Sequence, residues 1–409
     1  MINLTSSCHC KAFSYPITIL EDVQLPLSET TCSCDACRYR TGQISFLSLS
    51  AKLTRSFPPS EALARLQRYD QKCGFVIDQE TLQSQSQSQS QSEVGDEDTP
   101  DGLNKYSQNT TCGGTMITSF FCGICGTKIY LQVASLTGEP EIGMWTLGAL
   151  DRVIVDEKPI VKLKGHHFLE DTVDGGIFNI WRTFQGEPLK KYHDGLQEWI
   201  VSKKSTVQEE EYMHLHCKCE SFNVYVRRPQ PALPVSEDCY WYQGPYDEKG
   251  VPKRYMAGWC ACDSCRQITG SSLPAHPWVE IPLIDIRSAP SPDAQPYLPI
   301  PMTPHTTLPG LTLYKSSPDN EDVSRYHCST CGASIMYYNA AKDFMASFAV
   351  GLNGSKNGVM NTSWISWWFG LEGVTEPMIS AKEDGQRRWG GLMDEFEQGL
   401  LEWGKEIRQ

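Results

Sequence analysis

The sequence predicts a mainly β, β-rich α+β fold: small packed sheets with short flanking helices, arranged as two tandem cysteine-rich units. Three observations carry this. The same ordered set of seven cysteines occurs twice, accounting for fourteen of the 17 in the 409-residue chain. Runs rich in β-branched and aromatic residues, Lys128–Val133 and Ser334–Tyr338, follow the last cysteine pair of each set. Near the end of the chain, Leu392, Phe396, Leu400 and Trp403 recur at helical intervals.

The repeat sets the organisation. The first half reads Cys8-x-Cys10, Cys32-x-Cys34-x2-Cys37 and Cys122-x2-Cys125. The second reads Cys217-x-Cys219, Cys260-x-Cys262-x2-Cys265 and Cys328-x2-Cys331. Neighbouring residues recur as well. Cys34-Asp35-x-Cys37-Arg38-x2-Thr41-Gly42 is matched by Cys262-Asp263-x-Cys265-Arg266-x2-Thr269-Gly270, and Gly195-Leu-Gln-Glu-Trp199 by Gly399-Leu-Leu-Glu-Trp403. Two cysteine-rich domains follow, 1–203 and 212–409, with Ser202 to Glu211 as linker. Each has an insert between its triple motif and its last pair. Residues 78–111 hold a Gln-Ser run that cannot bury enough apolar area to fold and read as disordered; residues 288–310 are proline-rich and read as an extended loop. Short strands ending at glycines are expected around Trp145 and Leu147, and around Phe348 and Val350.

Composition narrows the function. A net charge of −13 argues against a nucleic-acid partner, and no apolar run is long enough to span a bilayer. Residues Met1 to Cys10 carry neither a positive nor an apolar leader segment, so the expectation is a soluble cytoplasmic protein. In a reducing compartment, thiols at short fixed spacings read as metal ligands rather than disulfides.

Two short cysteine pairs complete a closed tetrahedral zinc site. Each half has two pairs, Cys8/Cys10 with Cys122/Cys125 and Cys217/Cys219 with Cys328/Cys331, although spacing alone does not fix that pairing. The triple motifs, Cys32, Cys34, Cys37 and Cys260, Cys262, Cys265, supply three thiolates and leave a fourth position for water or substrate, as catalytic zinc requires. A soft, open position suits an incoming thiol. The competing reading closes each triple with a further ligand, such as a histidine, and makes every site structural.

With Phe121-Cys122-x2-Cys125-Gly126 added, these motifs resemble the glutathione-dependent formaldehyde-activating enzyme family, which includes centromere protein V; the resemblance covers most of both halves outside the inserts. The resemblance implies an Mss4-like fold, a structural zinc on the two outer pairs of each half and a second zinc on each triple. It implies up to two Zn2+ per domain, with the triple-motif cysteines as catalytic groups. It also implies carbon–sulfur lyase chemistry, like that of S-(hydroxymethyl)glutathione synthase, with glutathione or a related small-molecule thiol as co-substrate. The alternative is a non-catalytic, zinc-stabilised protein-binding scaffold. The chain departs from the family in having two copies and a long insert, and the segment His166 to Gly176 has no clear match around Trp364–Gly370.

Other residues have plainer readings beside the functional ones. Arg38 and Arg266 could pair with a glutathione carboxylate or hold the local turn. Asp35 and Asp263 read as turn residues capping nearby N–H groups. His9 and His216 flank ligand cysteines and read as outer-sphere or exposed. His166 and His167 are candidates for acid/base work, weighed against a loop or surface role. Cys73, Cys112 and Cys239 have no counterparts, and the tryptophans read as core packing.

Overall fold

The computed structural model describes residues 1–51, 57–72, 116–134, 140–192, 208–229, 253–281, 284–286, 298, 302–342, 345–369 and 379–408. The insert 78–111, the three unmatched cysteines and Gly195–Trp199 lie outside them. The fold is mainly β, with 38% strand against 21% helix, in small sheets joined by short helices. No helix among the described residues is long and apolar enough to cross a membrane.

In the first half, a five-stranded antiparallel sheet runs in the order Ser48–Ser50, Pro140–Thr146, Lys128–Ala134, Met116–Phe121, Gln67–Lys72. Beside it lie the hairpin Ile2–Ser7/Ser14–Ile19 and a three-stranded parallel sheet centred on Val161–His167, which pairs with Leu27–Cys32. In the second half, an antiparallel meander, Leu311–Tyr314, Val323–Cys328, Ser334–Asn339 and Met345–Phe348, continues through Ala275–Glu280 to Tyr255–Cys260. Ile365–Trp367 and Ile379–Ser380 add to the last strand in parallel, making eight strands. A three-stranded sheet, Met213–His216, Asn223–Val226 and Ile284–Ile286, flanks it.

The strands expected at Lys128–Val133 and Ser334–Tyr338 are present and central. The Pro-rich stretch 288–310 is not wholly a free loop. Met302 and Leu308 are buried, and the carbonyls of Met302 and Thr306 accept the Tyr338 and Tyr326 hydroxyls at 2.7 Å. The C-terminal helix Leu392–Arg408 buries the four apolar residues read from its periodicity.

That helix does not stay within its own half. Phe396 meets Trp181 edge-on at 5.9 Å, Arg182 forks onto Glu406 with two bonds of 2.7 Å, and Thr183 donates to Glu395 at 2.8 Å. Gly399 gives it room, since a Cβ there would run into the Ile180 carbonyl. Buried residues from Leu4 to Trp403 accordingly form one large cluster drawn from both halves, and a second, smaller cluster gathers Cys34, Cys37, Phe46, Ile117, Leu131 and Val133.

The halves also meet through a reciprocal seam. Gly351 N–H donates to Gly42 O at 3.0 Å, and Gly148 N–H to Gly270 O at 3.1 Å. Arg38 Nη1 donates to the carbonyls of Gly351 and Asn353, both at 3.2 Å; Arg266 Nη1 donates to those of Gly148 and Leu150 at 2.5 and 2.9 Å. Each triple-motif helix thus ends against the short 3-10 turn of the other half, Val350–Leu352 or Leu147–Ala149.

Candidate metal centres

The spacing C-x-C-x2-C has a local explanation. Cys32 ends its strand, Cys34 is the N-cap of helix Asp35–Thr41, and Cys37 lies in its first turn, where its N–H donates to Cys34 Sγ at 3.4 Å. Cys260, Cys262 and Cys265 repeat this on helix Asp263–Thr269, with 3.2 Å for the cap bond. A sulfur replaces the usual side-chain oxygen of an N-cap. Gly42 and Gly270 close the helices at φ +78° and +70°, the left-handed conformation that glycine adopts without strain. Asp35 and Asp263 are therefore first-turn helical residues rather than loop caps, and they pair with Arg38 and Arg266 one turn on.

The two C-x2-C-Gly segments are tight turns between antiparallel strands. Gly126 and Gly332 sit at φ +77° and +69°, and each N–H returns to the first cysteine's carbonyl, at 2.8 and 2.9 Å. The N-terminal pairs arrive in the turns after Ile2–Ser7 and Met213–His216.

Four sulfur clusters result, each with its Sγ atoms within 4.8 Å of one another: Cys8, Cys10, Cys122, Cys125; Cys217, Cys219, Cys328, Cys331; Cys32, Cys34, Cys37; and Cys260, Cys262, Cys265. The structure thus brings the first pair of each half onto the last, the pairing that spacing left open. Measured separations are 3.5 Å for Cys8–Cys10, 3.6 Å for Cys10–Cys122, 3.6 Å for Cys217–Cys219 and 3.4 Å for Cys219–Cys328. A tetrahedron with metal–sulfur bonds of about 2.3 Å has edges of about 3.8 Å, whereas a disulfide is about 2.05 Å long. All fourteen thiols are free, and their spacing fits a shared ion rather than sulfur–sulfur bonds. Among the described residues, no His, Asp or Glu joins either triple.

The electrostatics fit a cation too. Hydrogen bonds from neighbouring sulfurs, then burial, push the Cys8, Cys32, Cys217 and Cys260 thiols up; bonds from neighbouring sulfurs hold Cys125, Cys219 and Cys265 down. In three of the clusters some sulfurs keep their protons so that another can carry charge. A divalent ion removes that conflict and releases the protons.

No family model, curated protein or solved structure matches this chain. The clusters therefore stand on their own geometry.

The remaining candidates from the sequence fall as follows. Arg38 and Arg266, offered to a glutathione carboxylate, are 3% and 6% exposed, and both bond the seam carbonyls and their helix aspartates. Seam-building is the role their surroundings give them. His166 is on a strand rather than a loop, and it is fully buried. Its Nδ1 lies 2.7 Å from the Thr31 hydroxyl and its Nε2 2.8 Å from Trp181 O, a neutral, fully paired core histidine whose pKa burial lowers to about 4. His167 is buried against Tyr192. His9 meets the Tyr314 hydroxyl at 2.8 Å, and His216 stacks on Tyr39 and His214, outer-sphere positions as expected.

Several residues that matter here carried no sequence signal. Arg40 Nη2 lies 3.4 Å from Cys37 Sγ, and Arg325 Nη2 lies 3.2 Å from Cys265 Sγ. Lys128 reaches across the seam to donate to Cys331 O at 3.1 Å while lying over the Phe121 ring; burial lowers its pKa to about 8. His276, Arg325, His327 and Ser334 line a cavity of about 20 Å³ that Cys125 closes from the other half. That is room for about one water molecule and not for a tripeptide.

Proposed function

We propose that the chain is a zinc-dependent carbon–sulfur lyase resembling S-(hydroxymethyl)glutathione synthase, joining a small thiol to a one-carbon aldehyde, reversibly, at its three-cysteine sites. One observation carries this reading: two sulfur clusters have four members and no vacancy, while two have three members and no described fourth ligand. Cys8, Cys10, Cys122, Cys125 and Cys217, Cys219, Cys328, Cys331 would hold structural zinc; Cys32, Cys34, Cys37 and Cys260, Cys262, Cys265 would hold the reactive ions. Zinc, when bound there, supplies a Lewis acid that favours the thiolate form of a thiol substrate. The protein's part is to fix three sulfurs on a strand end and a capped helix, where Cys32, Cys260 and Cys262 are only partly buried. A substrate thiol then meets a rigid site and loses little further entropy on alignment. The acidic chain charge supports a small-molecule partner over nucleic acid, and a cytoplasmic setting keeps the thiols reduced.

The scaffold reading has one observation in its favour: the cavity beside the second triple is only water-sized. Cysteine variants separate the two. Under the lyase reading, Cys34→Ser and Cys262→Ser lose turnover of glutathione with formaldehyde, yet keep a folded chain with about two zinc ions fewer when combined. Cys122→Ser and Cys328→Ser unfold their half. If Cys34→Ser and Cys262→Ser unfold the chain as Cys122→Ser does, and the intact chain turns nothing over, the scaffold reading stands instead.

A further inference from the structure

We propose that Arg40 and Arg325 are positioning residues that tune both three-cysteine sites to take an anionic fourth ligand, a thiolate, in preference to a neutral donor; this rests on reading those sites as open metal centres.

The argument starts from a coincidence that the repeat does not explain. The same contact, a guanidinium on the Sγ of the third cysteine, occurs in both halves from positions that do not correspond. Arg40 stands three residues after Cys37 on its helix; the residue three after Cys265 is Ile268. Arg325 stands three residues before Cys328 on the strand Val323–Cys328; the residue three before Cys122 is Ser119. Each half thus lacks the arginine of the other and supplies its own by a different route. A contact inherited from a common fold would come from one position.

Both guanidinium groups are deeply buried, Arg40 at 0% and Arg325 at 9% exposure, and neither pairs with a carboxylate among the described residues. Among the described residues Arg40 Nε and Nη1 have no hydrogen-bond partner, while Arg325 Nε donates to Ser316 at 3.0 Å. Burying a cation is unfavourable unless an anion meets it, and among the described residues the sulfur cluster is the anionic group each guanidinium bonds.

Charge counting gives the consequence. Three thiolates around a divalent ion carry a net −1. The adjacent guanidinium brings the site to zero. A thiolate entering the fourth position then builds one negative charge rather than two, at a place where low polarity magnifies the difference. A neutral donor gains nothing comparable. The arginines therefore select by ligand charge; among the described residues no guanidinium bonds a sulfur of the closed four-cysteine clusters, and the buried Lys128 at the second of them bonds the Cys331 carbonyl instead.

The test uses the full chain loaded with cobalt(II), whose absorption reports the coordination shell. Wild type, Arg40→Gln and Arg325→Gln are titrated with glutathione as the thiol and imidazole as the neutral donor. Each variant is expected to weaken glutathione at its own site by roughly tenfold or more, the usual worth of a hydrogen bond to a charged partner, and to leave imidazole unchanged. Should a glutamine variant fail to fold, the double variant Ile268→Arg with Arg325→Ser, which moves the second half's guanidinium to the first half's position, is expected to keep the preference for thiol. Equal weakening of both ligands, no weakening of either, or loss of the preference in the folded double variant overturns the inference while leaving the open metal sites intact. Cobalt that enters only the two four-cysteine clusters overturns the open-site reading itself, and this inference with it.

Discussion

Replacing Gly148 by alanine probes the seam where two stretches of backbone touch. Gly148 donates its N–H to Gly270 O, and its own carbonyl accepts from Arg266. A Cβ added there would lie 2.5 Å from both Gly270 O and Ser271 N, all backbone atoms that cannot swing aside. Ordinary contact begins near 3.5 Å, so the two strands of chain must part by about 1 Å. Overpacking of this kind costs about 1–3 kcal/mol. The Gly148–Gly270 hydrogen bond adds about 1 kcal/mol, and loosening the Arg266 bonds leaves a buried charge short of acceptors, for about 1–2 kcal/mol more. The expected loss is about 3–6 kcal/mol, read as a lower urea midpoint by fluorescence of the buried tryptophans. Gly351→Ala meets the amide nitrogen of Gln43 at 2.5 Å and should cost about as much. Gly391→Ala, with nothing within 4 Å of the new carbon, should stay within about 0.5 kcal/mol of wild type. If Gly148→Ala and Gly351→Ala behave like Gly391→Ala, the halves are not joined through these turns and the seam argument fails.

Other perturbations follow from the same structure. Chelation should lower the thermal midpoint and release about four zinc ions per chain, one from each sulfur cluster, measured by atomic absorption alongside calorimetry. For His166, burial holds the folded pKa near 4 against an ordinary value of 6.5, so the unfolded chain binds a proton that the folded chain refuses. Its contribution is fully present above pH 6.5 and is lost as pH falls toward 4, by about 2 kcal/mol between pH 7 and pH 5. His166→Gln should flatten that part of the stability–pH curve, compared by urea unfolding at both pH values. Gly399→Ala should drive the C-terminal helix off the Ile180 carbonyl, seen as faster amide exchange confined to residues 392–408.

What the sequence disclosed and what it hid divide along physical lines. The strands at Lys128–Val133 and Ser334–Tyr338 were legible from their β-branched and aromatic content, and the final helix from its helical period against a buried face. The triple-motif helices were not: seven residues make too short a run for periodicity, and cysteine is not an expected N-cap. Their signals were present nonetheless, an acid in the first turn and a glycine after the last residue, in Asp35 with Gly42 and Asp263 with Gly270. The cysteine pairs and triples were legible as metal ligands because such ligands are few and chemically distinctive, whereas spacing did not fix which pair meets which. The arginines were not, because their roles depend on partners more than a hundred residues away: Arg38 on Gly351, Arg266 on Gly148. His166 looked available for acid/base work for the same reason, since Trp181 O and Thr31 are invisible as its partners in the linear chain.

The reciprocity of the seam makes one more outcome testable. The second half alone, residues 212–409, would leave Arg266 without the Gly148 and Leu150 carbonyls, and Phe396 without Trp181. It would also retain the turn Val350–Leu352, which in the intact chain receives Arg38. Arg266 and that turn are complementary by the same chemistry that joins Arg38 to it, since Arg38 and Arg266 sit alike on helices capped by Cys34 and Cys262 and ending at Gly42 and Gly270. Two copies of 212–409 can therefore satisfy each other across a two-fold axis, with each Arg266 on the partner's Gly351 carbonyl. The expected result by light scattering is a dimer that binds metal. Gly351→Ala, which blocks the approach, should convert it to an aggregating or unfolded species rather than a stable monomer. A well-folded monomer of 212–409 would mean that the buried arginines do not need the opposing turn, and the seam would then be incidental contact between two self-sufficient units.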